Sequence, residues 1–586
     1  MSAVISNVTT PFKRLKWGFI PQRRIIDEDE DGNFIDTDHD STTKENSSEK
    51  NSSINIIEKD TSSDNQNSSS DDSSTTLEYR DESNRPWWKF FDEYEYRVKS
   101  STKNSKKWYK WFHEDDTTEE KKLISKLDII LTFYGLMIYF VRYLSQTNLV
   151  NAYVGGMKED LKMFGNELID TQVVFNIGNV IFQLIFSFII YAYPLNYVLP
   201  GLDVCWSVLT IVTAEVNNVA SLKAIRFWIG AAESPFYVSY HYLLASWYRG
   251  STGEIARRAG CFYFGQFLGV LTSGLIAGAV ERAFGGIYGS SWRWIFRIDG
   301  IISLVVGIIG FYSIPGTPSD CYSIFLSDED IRAARRRMKR DNVDPRPRTD
   351  VYKHFFDKSV WISIFTSWHF YVLTIWCILL WSNANGPSGA YALWLKSLKN
   401  DDGTPRFGAG QLQDYTALTP ALGLVWLILT CSFADLLSSR WGAVIFSQVL
   451  NVICNLLLAI WNIPEGAKWF AWCLQYTSWS ASPVMYSFQG DICRMDSRKR
   501  SVLLVLMNTI AQAFNIWISK LIWPTVEAPR YLKGFTTTTA ISFSLILWTL
   551  VVLYFYKKQE RSNALKNGIY LINSDKEKNV DHVDKT

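Results

Sequence analysis

From Leu123 onward the chain alternates apolar runs of about 20 residues, the length that crosses ~30 Å of hydrocarbon, with short polar connections. The first six runs are Leu123–Leu144, Thr171–Tyr193, Asn196–Ala214, Leu222–Trp247, Ala256–Val280 and Trp292–Ile314. After a long break come Trp361–Asn383, Tyr415–Phe433, Gly442–Trp461, Ala467–Gln489, Ser501–Trp523 and Phe535–Tyr556. The pattern predicts an all-α polytopic membrane protein, its twelve transmembrane helices arranged as two six-helix halves, 123–314 and 361–556. An even number of crossings leaves both termini on one side. The break, 315–360, contains Ser327-Asp328-Glu329-Asp330-Ile331 and then Arg335-Arg336-Arg337-Met338-Lys339-Arg340, a Ser-capped acidic first turn leading into a basic amphipathic surface helix.

Polar segments flank this core: residues 1–122 ahead of it and the tail 557–586 behind it. Ile25 to Ser83 is rich in Ser, Asn, Asp and Glu and lacks the apolar area that would offset ordering, so the sequence predicts a disordered tail. Its sequons at Asn46, Asn51 and Asn67 would matter only on a luminal tail, and its serines suit phosphorylation. Arg85-Pro86-Trp87-Trp88-Lys89-Phe90-Phe91 and Trp108-Tyr109-Lys110-Trp111-Phe112 interleave aromatics with Lys, which fits either a headgroup-level segment or a docked linker. The N-terminus shows no continuous apolar core ahead of a cleavage site, so the first run is expected to direct insertion.

Composition changes the picture in two places. The net charge of +2 comes from basic residues lying between apolar runs rather than on one soluble face, which removes nucleic acid as a partner. Loops on the side of the surface helix carry about twice the Lys and Arg of the opposite loops, and the positive-inside rule then makes that side, with both termini, cytosolic. The eight cysteines are scattered, mostly in or beside apolar runs, and none has CxxC spacing; neither a disulfide framework nor a metal site is indicated. No nucleophile stands at a suitable spacing from a base, and GxSxG, HExxH and phosphate-cradling glycine loops are absent, so an enzyme is not expected.

Candidate chemistry centres on the fourth run. An ionisable group at membrane depth costs at least ~2.5 kcal/mol and needs a bundle interior or a wet cavity. Seven helical steps leave Arg226 and Glu233 within roughly 20° of one face and about 10 Å apart, sharing a wall without having to pair. A guanidinium there suits a carboxylate, and a half-desolvated carboxyl suits a proton; an ion pair that only orients the helix is the alternative. Polar stripes run along the second run (Gln172, Asn176, Asn179, Gln183, Ser187) and the eleventh (Asn508, Gln512, Asn515, Ser519). The fifth run carries Gly260, Gly265, Gly269, Gly274 and Gly278, a surface for close helix contact. In the seventh run His369, Trp376 and Asn383 recur every seven residues and are candidates to hold the body of a substrate, against a purely structural role. His241 is a weaker candidate, and Lys520 is either an anion contact or a snorkelling side chain.

Six spans, a basic loop and six more spans resemble the major facilitator superfamily. Pro194-Leu195-Asn196-Tyr197-Val198-Leu199, then Arg226, Phe227, Gly230 and Glu233 in the fourth run, then Trp292-Arg293-Trp294-Ile295-Phe296 with Asp299-Gly300, resemble its anion:cation symporter family. Phe325-Leu326-Ser327-Asp328-Glu329 and Ala528-Pro529-Arg530-Tyr531 with Gly534 resemble the fungal allantoate permease group, and Lys13 to Pro21 and Arg85 to Trp88 are shared with a yeast permease of that group. The resemblance implies proton-driven import of a small organic anion through a plasma-membrane monomer with no cofactor beyond the proton gradient. Arg226 would take the carboxylate and Glu233 the proton. Allantoate, ureidosuccinate, nicotinate, pantothenate, biotin and sulfur-containing amino-acid derivatives are the candidate solutes. The family's Asp-Arg pair ending the first run is replaced here by Leu144-Ser145-Gln146-Thr147-Asn148, which leaves Glu233 as the main coupler. Arg142, one turn before Gln146, either replaces the missing cation or snorkels to headgroups. The polar stripes of the second and eleventh runs would zip the two halves in one state, or line the substrate path. Asp435 and Arg440 resemble the superfamily's cytosolic loop latch. A nutrient sensor built on the transporter fold, and an uncoupled facilitator, are the rival expectations.

Overall fold

The computed structural model describes residues 15–16, 19–24, 26, 78–83, 85–97, 111–112, 116–249, 254–284, 291–340, 358–384, 389–494 and 497–572. Every apolar run is helical. Span one is a composite, Thr118–Asp160, in which π-helical turns at Asp128–Thr132 and Tyr153–Met157 flank Phe133–Ala152. Spans two, three, five and six are Glu167–Ala192, Leu195–Thr213, Glu254–Phe284 and Ser291–Ser313. Span eight runs from Ala409 to Leu436, and spans nine, eleven and twelve are Arg440–Ile460, Ser497–Ile522 and Leu532–Ser562.

Among the described residues, nine helices are long and apolar enough on their own to cross a membrane. Spans four, seven and ten are interrupted. Span four, expected as one helix, is Val219–Glu233 and Phe236–Trp247, because Pro235 cannot supply the next backbone donor and the Ser234 hydroxyl bonds Ala231 O instead (2.8 Å). Span seven is Lys358–Phe365 and Trp368–Ser382; span ten is Glu465–Cys473, Thr477–Ser480 and Ser482–Ile492, with Pro483 opening the last piece. Span one also breaks, at Gly155 and Gly156, where Gly156 has φ 110°. The interruptions thus recur every third helix, midway in spans four and ten but near the end of span one and near the start of span seven. Broken spans at matching positions free backbone groups and mark where a transporter binds its solute.

Glycines set the close approaches. On facing spans two and four, a Cβ on Gly178 would overlap Phe227 O and one on Gly230 would overlap Phe175 O. On span five, Gly265 and Gly269 abut the backbone of span one at Leu136 and Phe140, whereas Gly274 and Gly278 abut Thr416 and Asp414 of the opposite half. Gly260 faces open space.

Segments near the two ends of the chain meet: strand Glu78–Asp81 pairs in parallel with Ile569–Ile572. This corrects the expectation of disorder throughout Ile25 to Ser83, since Glu78–Asp81 is an ordered strand with alternate residues half-buried. The sequons, the serine run, and Trp108, Tyr109 and Lys110 lie outside the described residues. Trp87–Phe91 forms a 3₁₀ turn docked on the C-terminal half, with Phe91 against Trp441 (5.3 Å) and Phe91 O accepting from Trp441 Nε1 (3.2 Å), while Trp87 and Trp88 stay exposed. The surface helix is Asp328–Arg340; Ser327 and Asp330 cap one another, and Lys126 reaches Asp330 at 2.6 Å.

Candidate functional site

A cavity of about 230 Å³ lies between the halves. All four interrupted spans line it, with Arg142, Arg226, Trp381 and Trp479 among their contributions. Spans two and eleven add Gln172, Asn176 and Asn179 from one side and Gln512, Asn515 and Ser519 from the other. Among the described lining residues the charged side chains are Arg142 and Arg226, both from the N-terminal half. The C-terminal wall offers neutral amides, hydroxyls and rings. One pole is cationic and the other neutral.

The cationic pole is built on the first piece of span four. Because that piece keeps helical geometry from Val219 to Glu233, Arg226 and Glu233 share a face, and the glycine crossing with span two fixes its position. Arg226 is 2% exposed, its Nε and Nη2 have no hydrogen-bond partner, and its guanidinium sits 5.7 Å from the Phe296 ring. Glu233 is also 2% exposed but stands behind the cavity wall. Its Oε2 accepts from Arg142 Nε and from Gln146 Nε2, each at 3.1 Å, and Oε1 has no partner. Arg142 therefore does not snorkel: the helix continues past Leu144 to the break at Gly155, which places Arg142 inside the bundle. Glu233 pairs with Arg142 rather than with Arg226, leaving Arg226 the less satisfied cation.

Other candidates fall elsewhere. Asn179 and Asn515 line the cavity, the latter accepting from Ser519 Oγ (3.1 Å). Gln183 is buried off the cavity, and the side chain of Ser187 lies outside the described residues. Asn508 accepts from Tyr486 OH (3.0 Å). Trp376 is a core residue, 1% exposed, with Nε1 donating to Thr549 Oγ1 of span twelve (2.9 Å). His369 lines a separate groove with Trp368, Lys499, Phe555 and Lys558, and Asn383 donates to Gln448 Oε1 (2.7 Å). The face those three share turns to spans nine and twelve, so none of them meets the cavity. His241 bonds Tyr237 O (2.9 Å) off the cavity, and Lys520 pairs with Asp170 (3.1 Å). Arg440 latches Asp491 (2.6 Å) and, from the N-terminal segment, Glu93 (2.5 Å).

The two ends of the cavity are closed by different chemistry. Away from the termini, Arg282–Asp414 (2.6 Å), Lys520–Asp170 (3.1 Å) and Lys396–Glu159 (3.7 Å) tie the halves together, and Gln413 Nε2 donates to Asn151 O (2.8 Å). Toward the terminal side the halves meet through rings, Tyr143 against Trp479 (5.9 Å) and Tyr237 against Tyr486 (5.6 Å).

Residues 135–517 match the profile of the Major Facilitator Superfamily. The chain belongs to that superfamily. It is 38% identical over 504 residues to the "Vitamin H transporter" of Saccharomyces cerevisiae, an alignment covering 85% of this chain and 84% of that one. To the "Pantothenate transporter liz1" of Schizosaccharomyces pombe it is 29% identical over 454 residues, covering 77% and 84%. Among solved structures, the proton:xylose symporter XylE bound to 6-bromo-6-deoxy-D-glucose shares the fold, with a TM-score of 0.56 at 13% identity over 74% of this chain and 96% of that one. The protein is thus a multi-pass membrane transporter of the facilitator type.

Within this facilitator the sequence reasoning passed over two buried acids. Asp203 on span three is 3% exposed and accepts from Tyr134 OH (2.8 Å) and Trp206 Nε1 (3.3 Å). Asp299 on span six is fully buried. Each is a lone carboxyl in an apolar run, the same signal that drew attention to span four.

Proposed function

We propose that this transporter imports a small carboxylate-bearing solute of the vitamin type, together with a proton, across the plasma membrane, with both termini cytosolic. The observation that carries this reading is the composition of the cavity wall: two arginines at one pole and no other charged group among the described lining residues. Such a wall favours a monoanion with an uncharged body. Biotin and pantothenate fit that description, and the relatives named for vitamin H and pantothenate support it. The ureide and sulfur amino-acid solutes implied by the allantoate permease resemblance share the carboxylate and differ in the body.

Arg226 takes the carboxylate, since its buried Nε and Nη2 lack partners. Glu233 is the proton carrier. Ionised, it holds Arg142 at 3.1 Å; protonated, it releases most of that attraction and leaves Arg142 available to the incoming anion. Asn179 and Asn515, one from each half, contact the neutral body. Entry of one proton with one monoanion adds no net charge to the pole, so loading raises no charge cost for its passage through the dry intermediate of the cycle.

The test is uptake of radiolabelled biotin, pantothenate, ureides and amino-acid sulfoxides by cells lacking their own carriers, at several external pH values. Saturable uptake of one carboxylate, driven by external acid and lost in Arg226→Ala, is the expected result. Uptake indifferent to pH would identify an uncoupled facilitator, and saturable uptake of an uncharged or cationic solute would overturn the anion assignment.

A further inference from the structure

The N-terminal half holds a second polar centre that single-proton coupling leaves unused. Asp299 is 0% exposed; its Oδ1 receives one long bond from Ser303 Oγ (3.4 Å) and its Oδ2 has no partner. Ser145 and Asn148 face it from span one without an aligned hydrogen bond, and Ser145 Oγ and both amide atoms of Asn148 are likewise buried and unpartnered. The charged groups reaching Asp299 are Arg226 and Glu233, both from span four. Span three presents Ser207 and Ile211 at this level, with Asp203 two turns further along at Gly307. Buried polar atoms are nearly always paired, so a carboxyl, an amide and a hydroxyl standing within reach of one another without aligned bonds call for a role in the working cycle.

We propose that Asp299 is a second proton-carrying carboxyl, linked to the solute through Arg226, so that each monocarboxylate enters with two protons and one net positive charge. This rests on the proton-coupled reading above. In the empty site Asp299 lies within electrostatic reach of Arg226, without the close ion pair that Glu233 makes with Arg142. When a solute carboxylate takes Arg226, Asp299 becomes a surplus negative charge in a medium that tolerates none, and a proton on Asp299 removes it. Release of the solute returns Arg226 to Asp299, and that proton leaves. Asn148 and Ser145 suit both states, because an amide and a hydroxyl can donate to the carboxylate and accept from the acid. The neighbouring guanidinium disfavours a metal cation in the same place. The arrangement restores a second titrating group to a chain whose first span lacks an acid at its Leu144-Ser145-Gln146 stretch.

The experiment measures charge and solute together in proteoliposomes carrying the full chain, with radiolabelled biotin and pantothenate as probes. The wild type is expected to move about one positive charge inward per monoanion, and Asp299→Asn about none while its uptake still follows the pH gradient. Asp299→Glu should restore the ratio, which, being independent of the amount of active protein, survives partial misfolding. Should Asp299→Asn not fold, Asn148→Leu is the second probe: by stripping a partner of the charged form it should shift the pH of half-maximal current. An unchanged ratio in Asp299→Asn, an electroneutral wild type, an unshifted current in Asn148→Leu, or a current following sodium rather than protons would each overturn the proposal while leaving coupling through Glu233 intact. Loss of all pH dependence in the wild type would instead refute the underlying reading.

Discussion

The Arg142–Glu233 pair allows a quantitative test of whether the cationic pole is one electrostatic unit. Glu233 is 2% exposed and the Arg142 side chain 12%, and their contact is 3.1 Å. Removing one partner from such a pair strands the other charge, at a cost of about 3–5 kcal/mol, whereas removing both is close to neutral. Arg142→Met leaves Glu233 with Gln146 as its one hydrogen-bond donor, and Glu233→Gln leaves Arg142 without its anion. Each single variant should lose about 3 kcal/mol or more in reversible SDS unfolding. The double variant should recover most of that loss, giving a coupling energy of at least ~2 kcal/mol in the double-mutant cycle. A pair open to water would give under ~1 kcal/mol. Additive losses, or singles within ~1 kcal/mol of wild type, would refute the claim that Glu233 is held as a buried counter-ion.

Trp376→Phe removes a donor to Thr549 in the core and should cost about 1 kcal/mol of stability with the KM for solute unchanged; a raised KM would return Trp376 to the binding site. Gly274→Leu should wedge the halves apart where span five crosses Thr416, increasing cysteine labelling between Thr416 and Gly278; unchanged labelling would show that this crossing is not a gate. Arg282→Ala breaks a pair whose side chains are 55% and 38% exposed, and should move the same labelling equilibrium by less than about fivefold, since exposed pairs contribute under ~1 kcal/mol. Burial pushes Asp330 up, but bonds from Lys126 and Ser327 outweigh it and hold the carboxyl below its ordinary 3.8. Anchoring of helix Asp328–Arg340 should therefore be full above pH 3.8 and weaken only as pH falls through that lower value, read by the resistance of the helix to proteolysis. In Asp330→Asn that acid-dependent weakening should disappear and protection at neutral pH should fall.

Periodicity and length carried most of the fold, because a lipid-facing helix must be apolar along its whole length and the water-facing connections must not be. The breaks were harder to see. Pro235 and Pro483 are visible in the sequence, yet an apolar run reads the same on either side of them, so span four looked continuous. Seven-residue spacing showed that His369, Trp376 and Asn383 share a face but not which neighbour covers it, and spans nine and twelve do. The same spacing put Arg226 and Glu233 on one buried face, where charge cost alone forces the face inward, but of the two only Arg226 lines the cavity. For Arg142 the sequence leaves snorkelling open beside a place in the site, because the apolar run stops near Leu144 while the helix goes on; its last turns pack on other helices and can therefore be polar. Pairing of Glu93 with Arg440 is invisible to any local pattern, since the partners are 347 positions apart.

The most direct test of the central claim, that Glu233 couples a proton to solute entry, is pH-driven accumulation by Glu233→Gln in proteoliposomes loaded with and without internal biotin or pantothenate. The account predicts that an inward proton gradient no longer concentrates the labelled solute, while exchange of internal for external solute continues. Accumulation at the wild-type level, driven by the same gradient, would contradict it.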